Sequence, residues 1–151
     1  MSRFAIRDHL DALAPLLTLG RNIRTGTLEA PLTELVLARA SQINGCAFCL
    51  DMHTQDARNA GETEQRLHLL PAWRDTDLYS PRERAALTWC EALTQLGHDA
   101  VPDALYETVR AHFDESELVD LTLLITLINS WNRVNIAAAT RGGDYRPGMF
   151  A

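Results

Sequence analysis

The chain has 151 residues and a formal charge of −6, the usual size of one domain and enough to bury a core without disulfide staples. Eight glycines and six prolines in a composition rich in aliphatic residues and alanine favour helices over short strands. The acidic balance contains no basic run and would repel a phosphate backbone, so nucleic acid is excluded as an expected partner. In Met1 to Gly20 the charges of Arg3, Arg7, Asp8 and Asp11 interrupt the apolar positions, and no export signal can be read there. A first helix is expected over residues 4–19, followed by a connection from Gly20 to Ala30. Pro31 suits the first turn of a helix over 32–43, which Asn44-Gly45 ends, and the next covers 46–60 and stops at a left-handed Gly61. A short helix over 63–70 leads into the connection Pro71 to Tyr79. Ser80-Pro81-Arg82-Glu83 is a capping box opening a helix over 81–96, Pro102 suits the first turn of another over 102–112, and Asp114 with Glu117 caps the last, over 115–140. The most apolar stretch, Leu118 to Ile128, is interrupted by Asp120 and too short to cross a bilayer, so it reads as a core helix. The expectation is an all-α protein of about seven helices in one compact domain over residues 1–151, with no membrane span.

Three cysteines in a chain without a readable secretory signal, two of them closely spaced, suggest redox chemistry or metal binding and a cytoplasmic location. The informative run is Cys46-Ala47-Phe48-Cys49-Leu50-Asp51-Met52-His53. At about 100° per residue, Cys46, Cys49 and His53 lie within about 60° of one another on one helix face. Cys46 is expected in the first turn, where free N–H groups and the macrodipole favour a thiolate, and His53 follows Cys49 by one turn. Side chains three apart bring their Cβ atoms to about 5–6 Å, somewhat beyond a relaxed disulfide, but a first turn can adjust to a reversible Cys46–Cys49 bond. Two other readings use the same residues: buried thiols beside a core histidine, or a zinc site of Cys46, Cys49 and His53, for which no fourth ligand is spaced.

These residues resemble the alkylhydroperoxidase D-like branch of the carboxymuconolactone decarboxylase family. Its signature, a glutamate on one helix followed by C-x-x-C-x-x-x-H at the start of the next, is matched by Glu34, Cys46, Cys49 and His53. Similar wording runs through Ser41-Gln42-Ile43-Asn44-Gly45, Ala60-Gly61-Glu62-Thr63-Glu64-Gln65-Arg66 and Asn129-Ser130-Trp131-Asn132-Arg133. The resemblance implies a thiol-dependent peroxidase in which Cys49 attacks a hydroperoxide, Cys46 closes the disulfide and Glu34 with His53 relays the proton. It further implies an external thiol or dithiol reductant, no cofactor, and a homotrimer or homohexamer. The founding peroxidases carry a histidine between the cysteines, where this chain has Ala47-Phe48. A decarboxylase-like enzyme is the enzymatic alternative, and a redox-sensing helical module the non-enzymatic one.

Other residues carry plainer expectations. Glu34 without the motif would be an exposed helical glutamate. Arg39, in a stripe with Leu32, Leu35, Val36 and Ile43, suggests a buried ion pair, a subunit contact or a snorkelling side chain. Asn129, Asn132 and Asn135 suggest structural hydrogen bonds or an interface, and Cys90 a buried thiol.

Overall fold

The computed structural model describes residues 2–149, which form seven α-helices and no strand. A 3-10 turn, Ile6–His9, leads into α1, Leu10–Arg24. Helix α2 covers Ala30–Asn44, α3 Ala47–Asn59 and α4 Glu64–Leu69, which runs on into a second 3-10 turn, Leu70–Asp75. Helices α5, Pro81–Thr94, α6, Asp103–Arg110, and α7, Glu115–Ala138, complete the order.

Helix α2 is the centre. Leu32, Leu35, Val36, Leu37, Ala38 and Ala40 point around most of its circumference and all are buried, as expected of a helix apolar on nearly every side. Helices α3, α5 and α7 pack on it. The core joins Val36 and Ala40 to Ala86, Cys90, Phe113, Leu121, Ile125 and Ile128, and a second cluster sets Leu35 and Ala38 against Leu70, Trp73, Tyr79 and Leu87.

Both capping boxes form as the sequence suggests. Ser80 Oγ accepts from the Glu83 N–H at 3.2 Å while Glu83 accepts from the Ser80 N–H at 2.7 Å. The Asp114 and Glu117 pair does the same at 2.9 and 2.8 Å. Gly61 is left-handed, with φ +98. Several boundaries differ from expectation, the first being the start of α1, which is at Leu10 after the 3-10 turn and not at residue 4. Helix α1 continues through Gly20 to Arg24, because its apolar stripe of Leu16, Leu19 and buried Ile23 runs past the glycine. A Cβ at Gly20 would meet only the end of the Leu127 side chain, at 3.4 Å, and the helix simply continues through this glycine. Pro102 is the cap before α6, one position earlier than a first-turn proline. The connection after Leu69 is a 3-10 turn that buries Leu70 and Trp73.

The buried polar residues follow the structural reading. Arg39 pairs with Glu91 on α5 at 2.8 Å, both side chains largely covered, so the buried ion pair is the reading of Arg39 that holds. Asn44 donates to Asn129 and Asn132 at 3.0 and 2.8 Å, Asn132 donates to Ser41 at 3.1 Å, and Asn129 donates to Thr94 at 3.0 Å. These amides tie the end of α2 to α7, and with them the point from which α3 departs.

Candidate active site

The turn between α2 and α3 follows from Asn44-Gly45. Gly45 takes φ +69, its N–H donates to the Gln42 carbonyl at 3.2 Å and the next N–H, of Cys46, donates to Ser41 at 3.1 Å. This is the Schellman ending of a helix, for which glycine is the preferred residue. The turn delivers Cys46 as the cap of α3, one position before the first turn in which the sequence placed it. Its sulfur accepts from the Cys49 N–H at 3.4 Å.

Cys46 and Cys49 are joined by a disulfide, their Cα atoms 5.4 Å apart, which meets the separation such a bond needs. Cys46, Cys49, His53 and Ala57 are the buried positions along this edge of α3, the helical spacing that sets both sulfurs and the imidazole on one face. In this oxidised state the two thiolates of a zinc site at Cys46, Cys49 and His53 are bonded to each other.

Glu34 projects from α2 onto the same face and is 8% exposed, against the surface position expected of a helical glutamate. Its Oε2 lies 3.0 Å from Nδ1 of His53, which is 4% exposed. An N–H at Nδ1 donating to the carboxylate fixes the ring and leaves Nε2 as the basic nitrogen. All four residues singled out in the sequence are therefore brought to one place. The other thiol, Cys90, is fully buried on α5, donates to the Val36 carbonyl, and burial pushes its pKa up to about 12.

Two further residues belong to the neighbourhood. Asp56, three positions after His53, brings a carboxylate oxygen into a cluster in which ligand atoms of Glu34, His53 and Asp56 all lie within 4.8 Å. This is the one such group of three among the described residues, yet each member already has a protein partner: Glu34 and His53 each other, Asp56 the hydroxyl of Tyr145. Tyr145 lies in the segment after α7, is buried, and donates to the two Asp56 oxygens at 2.9 and 3.1 Å. Its pKa is pushed up to about 12 by burial, then by Asp56, with Glu34 acting in the same direction.

That segment is held on α3 by backbone bonds. The N–H groups of Gly143 and Tyr145 donate to Asp51 Oδ2 at 2.7 and 3.3 Å, and Gln55 donates to the Tyr145 carbonyl at 2.8 Å. Burial would raise the Asp51 carboxyl, but the N–H of Gly143, Gln55, the N–H of Tyr145 and the charge of Arg58 together hold it below its ordinary value. At Gly142 the segment crosses the peptide between the two cysteines, where a Cβ would stand 2.7 Å from the Ala47 carbonyl oxygen. Asp56 had a signal in the sequence, its i+3 spacing from His53. Tyr145 had none, since nothing local says that the Gly142-Gly143 turn returns to α3.

A helix opening on a disulfide pair, backed by a carboxylate and an imidazole inside an all-helical bundle, defines the alkylhydroperoxidase D-like class. The chain belongs to the carboxymuconolactone decarboxylase family, whose sequence profile matches residues 10–92. It is 55% identical over 111 residues to the uncharacterized protein YdfG of Bacillus subtilis (strain 168), covering 74% of this chain and 76% of that one. Among solved structures it is similar to ATU0492 of Agrobacterium tumefaciens, a protein of unknown function provisionally named an antioxidant defence protein AhpD. The TM-score is 0.90 at 35% identity, over 96% of this chain and 100% of the other. An uncharacterized peroxidase-related protein of Ralstonia eutropha JMP134, described as an alkylhydroperoxidase AhpD core, shares the fold with a TM-score of 0.80 at 20% identity, over 91% of this chain and 73% of that chain. No helix is long and apolar enough to cross a membrane among the described residues.

Proposed function

We propose that the protein is a thiol-dependent peroxidase that reduces hydroperoxides through Cys49 and regenerates through the Cys46–Cys49 disulfide. The observation that carries this reading is the disulfide at the start of α3 on the same face as His53, whose ring is held 3.0 Å from Glu34. In the reduced enzyme Nε2 of His53 takes the Cys49 proton, and the thiolate attacks one peroxide oxygen. The O–O bond breaks, the departing alkoxide takes the proton back from the imidazolium, and alcohol or water leaves. Cys49 is then a sulfenic acid. The Cys46 thiol attacks its sulfur, water departs, and the S–S bond forms before further oxidation can occur. An external dithiol restores both thiols by exchange and is itself oxidised to a disulfide.

The family's presence of an antioxidant-named relative at 35% identity supports the same reading. The test is repeated consumption of hydrogen peroxide and of an organic hydroperoxide by purified protein supplied with a dithiol. Turnover should vanish in Cys49→Ser and persist in Cys90→Ser, whose thiol is free and buried on α5. Equal rates in the wild type and both variants would refute the assignment of Cys49.

A further inference from the structure

The chemistry just proposed uses Glu34 and His53 but leaves Asp56 and Tyr145 without a role. We propose that Tyr145 is a positioning residue for the imidazole, acting through Asp56, so that His53 works between two carboxylates rather than one. This rests on the reading of Cys49 as the reacting thiol and His53 as its base.

The geometry is specific. Oxygens of Glu34 and Asp56 and a ring nitrogen of His53 lie within 4.8 Å of one another. Two carboxylates beside one imidazole both attract the imidazolium formed when it takes the Cys49 proton, but they also repel each other. A hydroxyl that donates to Asp56 at 2.9 and 3.1 Å offsets that repulsion without adding charge. Tyr145 suits the task because its phenol, with a pKa near 12, stays a donor across physiological pH. Its ring is brought in by backbone anchors that do not involve the hydroxyl: Asp51 holds the N–H groups of Gly143 and Tyr145, and Gln55 holds the Tyr145 carbonyl. Removing the hydroxyl therefore leaves the segment tied down.

The titratable and charged groups about His53 come from α2, α3 and this segment: Glu34, then Cys46, Cys49 and Asp56, then Tyr145. Elsewhere on α3, Asp51 is turned to the segment and Arg58 to Glu64. Helix α7, which also packs on α3, carries Arg133, held on Asn129 at 2.8 and 3.0 Å. Arg141, Asp144 and Arg146 around Tyr145 are exposed. Without the hydroxyl, Asp56 loses the bonds that hold it and turns from the imidazole, which takes negative charge away from His53. The base weakens and Cys49 gives up its proton less readily.

The experiment measures the rate of Cys49 alkylation by iodoacetamide against pH, in reduced protein with Cys46→Ser and Cys90→Ser. Tyr145→Phe, which keeps the ring, should raise the midpoint by about half to one pH unit, about three- to tenfold less thiolate below it. Asp56→Asn should move it the same way, and the two together no further than Asp56→Asn alone. His53→Ala is the control that shows the profile reports the base. A Tyr145→Phe profile that superimposes on the parent while His53→Ala shifts overturns the proposal, as do additive effects of Tyr145→Phe and Asp56→Asn. Peroxide turnover is scored separately in the protein with all cysteines present. A shifted Tyr145→Phe profile in a protein that consumes no peroxide refutes the peroxidase reading and leaves this one standing; turnover with an unshifted profile does the reverse.

Discussion

Replacing Glu34 by Gln keeps the size and hydrogen-bonding reach of a side chain that stands 3.0 Å from His53 Nδ1 and removes its charge. At that separation an effective dielectric constant of about 20 gives a Coulomb attraction of about 5 kcal/mol for an ionised pair. Both partners are buried, so desolvation offsets much of it, and a charge-assisted hydrogen bond retains about 1.5–3 kcal/mol. If the imidazolium forms when Cys49 loses its proton, that net amount is what Gln takes from the thiolate state. It corresponds to an upward shift of about one to two pH units in the Cys49 alkylation profile, and about ten- to a hundredfold slower peroxide attack near neutral pH. His53→Ala should act in the same direction. The double substitution should cost less than the sum, because the two side chains act as one unit. The assay is pH-dependent alkylation of Cys49 in the Cys46→Ser, Cys90→Ser background, with helicity checked by circular dichroism. An unchanged profile in both single variants would show that the relay is wrong and that the start of α3 alone activates the thiol.

Gly142→Ala should lower Tm, because its Cβ meets backbone at 2.7 Å and forced overpacking costs about 1–3 kcal/mol, or about 2–4 °C of Tm per kcal/mol at this chain length. Gly45→Ala, with open space around its Cβ, should show only the left-handed penalty of about 1–2 kcal/mol; equal melting of Gly142→Ala and wild type would refute the close crossing. Burial alone would raise the Glu83 and Glu91 carboxyls, yet hydrogen bonds from Arg66 and Ser80 to the first, and from Trp73, Arg74 and Arg39 to the second, hold both below the ordinary 4.5. The unfolded chain then binds more protons than the native one in mild acid, so their contribution is complete above about pH 5.5 and is lost as pH falls through 4.5 and below. Urea midpoints measured across that range should fall with pH, less steeply in Glu91→Gln; a flat profile contradicts the assignment. We also expect the homotrimer or homohexamer that the family resemblance implies, for which Val119, Leu123 and Ile136 on α7 and Leu10 and Leu17 on α1 offer exposed apolar side chains; light scattering that finds only monomer at all concentrations would contradict it.

Helix starts were readable at Ser80 and Asp114, where a capping box forms, because such signals are local. The Glu34, Cys46, Cys49 and His53 set was readable because three members share one helix face and the fourth completes a known pattern. Gly20 misled because a glycine inside a helix looks the same in a sequence as one that ends it, and here the stripe of Leu16, Leu19 and Ile23, buried by tertiary packing, carries α1 past it. The burial of Glu34 depends on how α3 lies across α2, which no periodicity in α2 records. Tyr145 was beyond reach altogether, since its partner is fixed by a chain reversal after α7 and by Asp51 and Gln55, residues with no distinguishing pattern of their own.

The crossing of α3 by the segment after α7 also sets an order of events during synthesis. Tyr145 lies 89 residues beyond Asp56, so at roughly 5–20 residues per second a ribosome needs about 4–18 seconds to add it after Asp56 is made. Through that interval the nascent chain carries both cysteines, His53 and Glu34 without the hydroxyl that restrains Asp56. An oxidant arriving then meets thiols whose surroundings are unfinished. The nascent polypeptide thus has both sulfurs of the α3 disulfide before it has the segment that crosses α3.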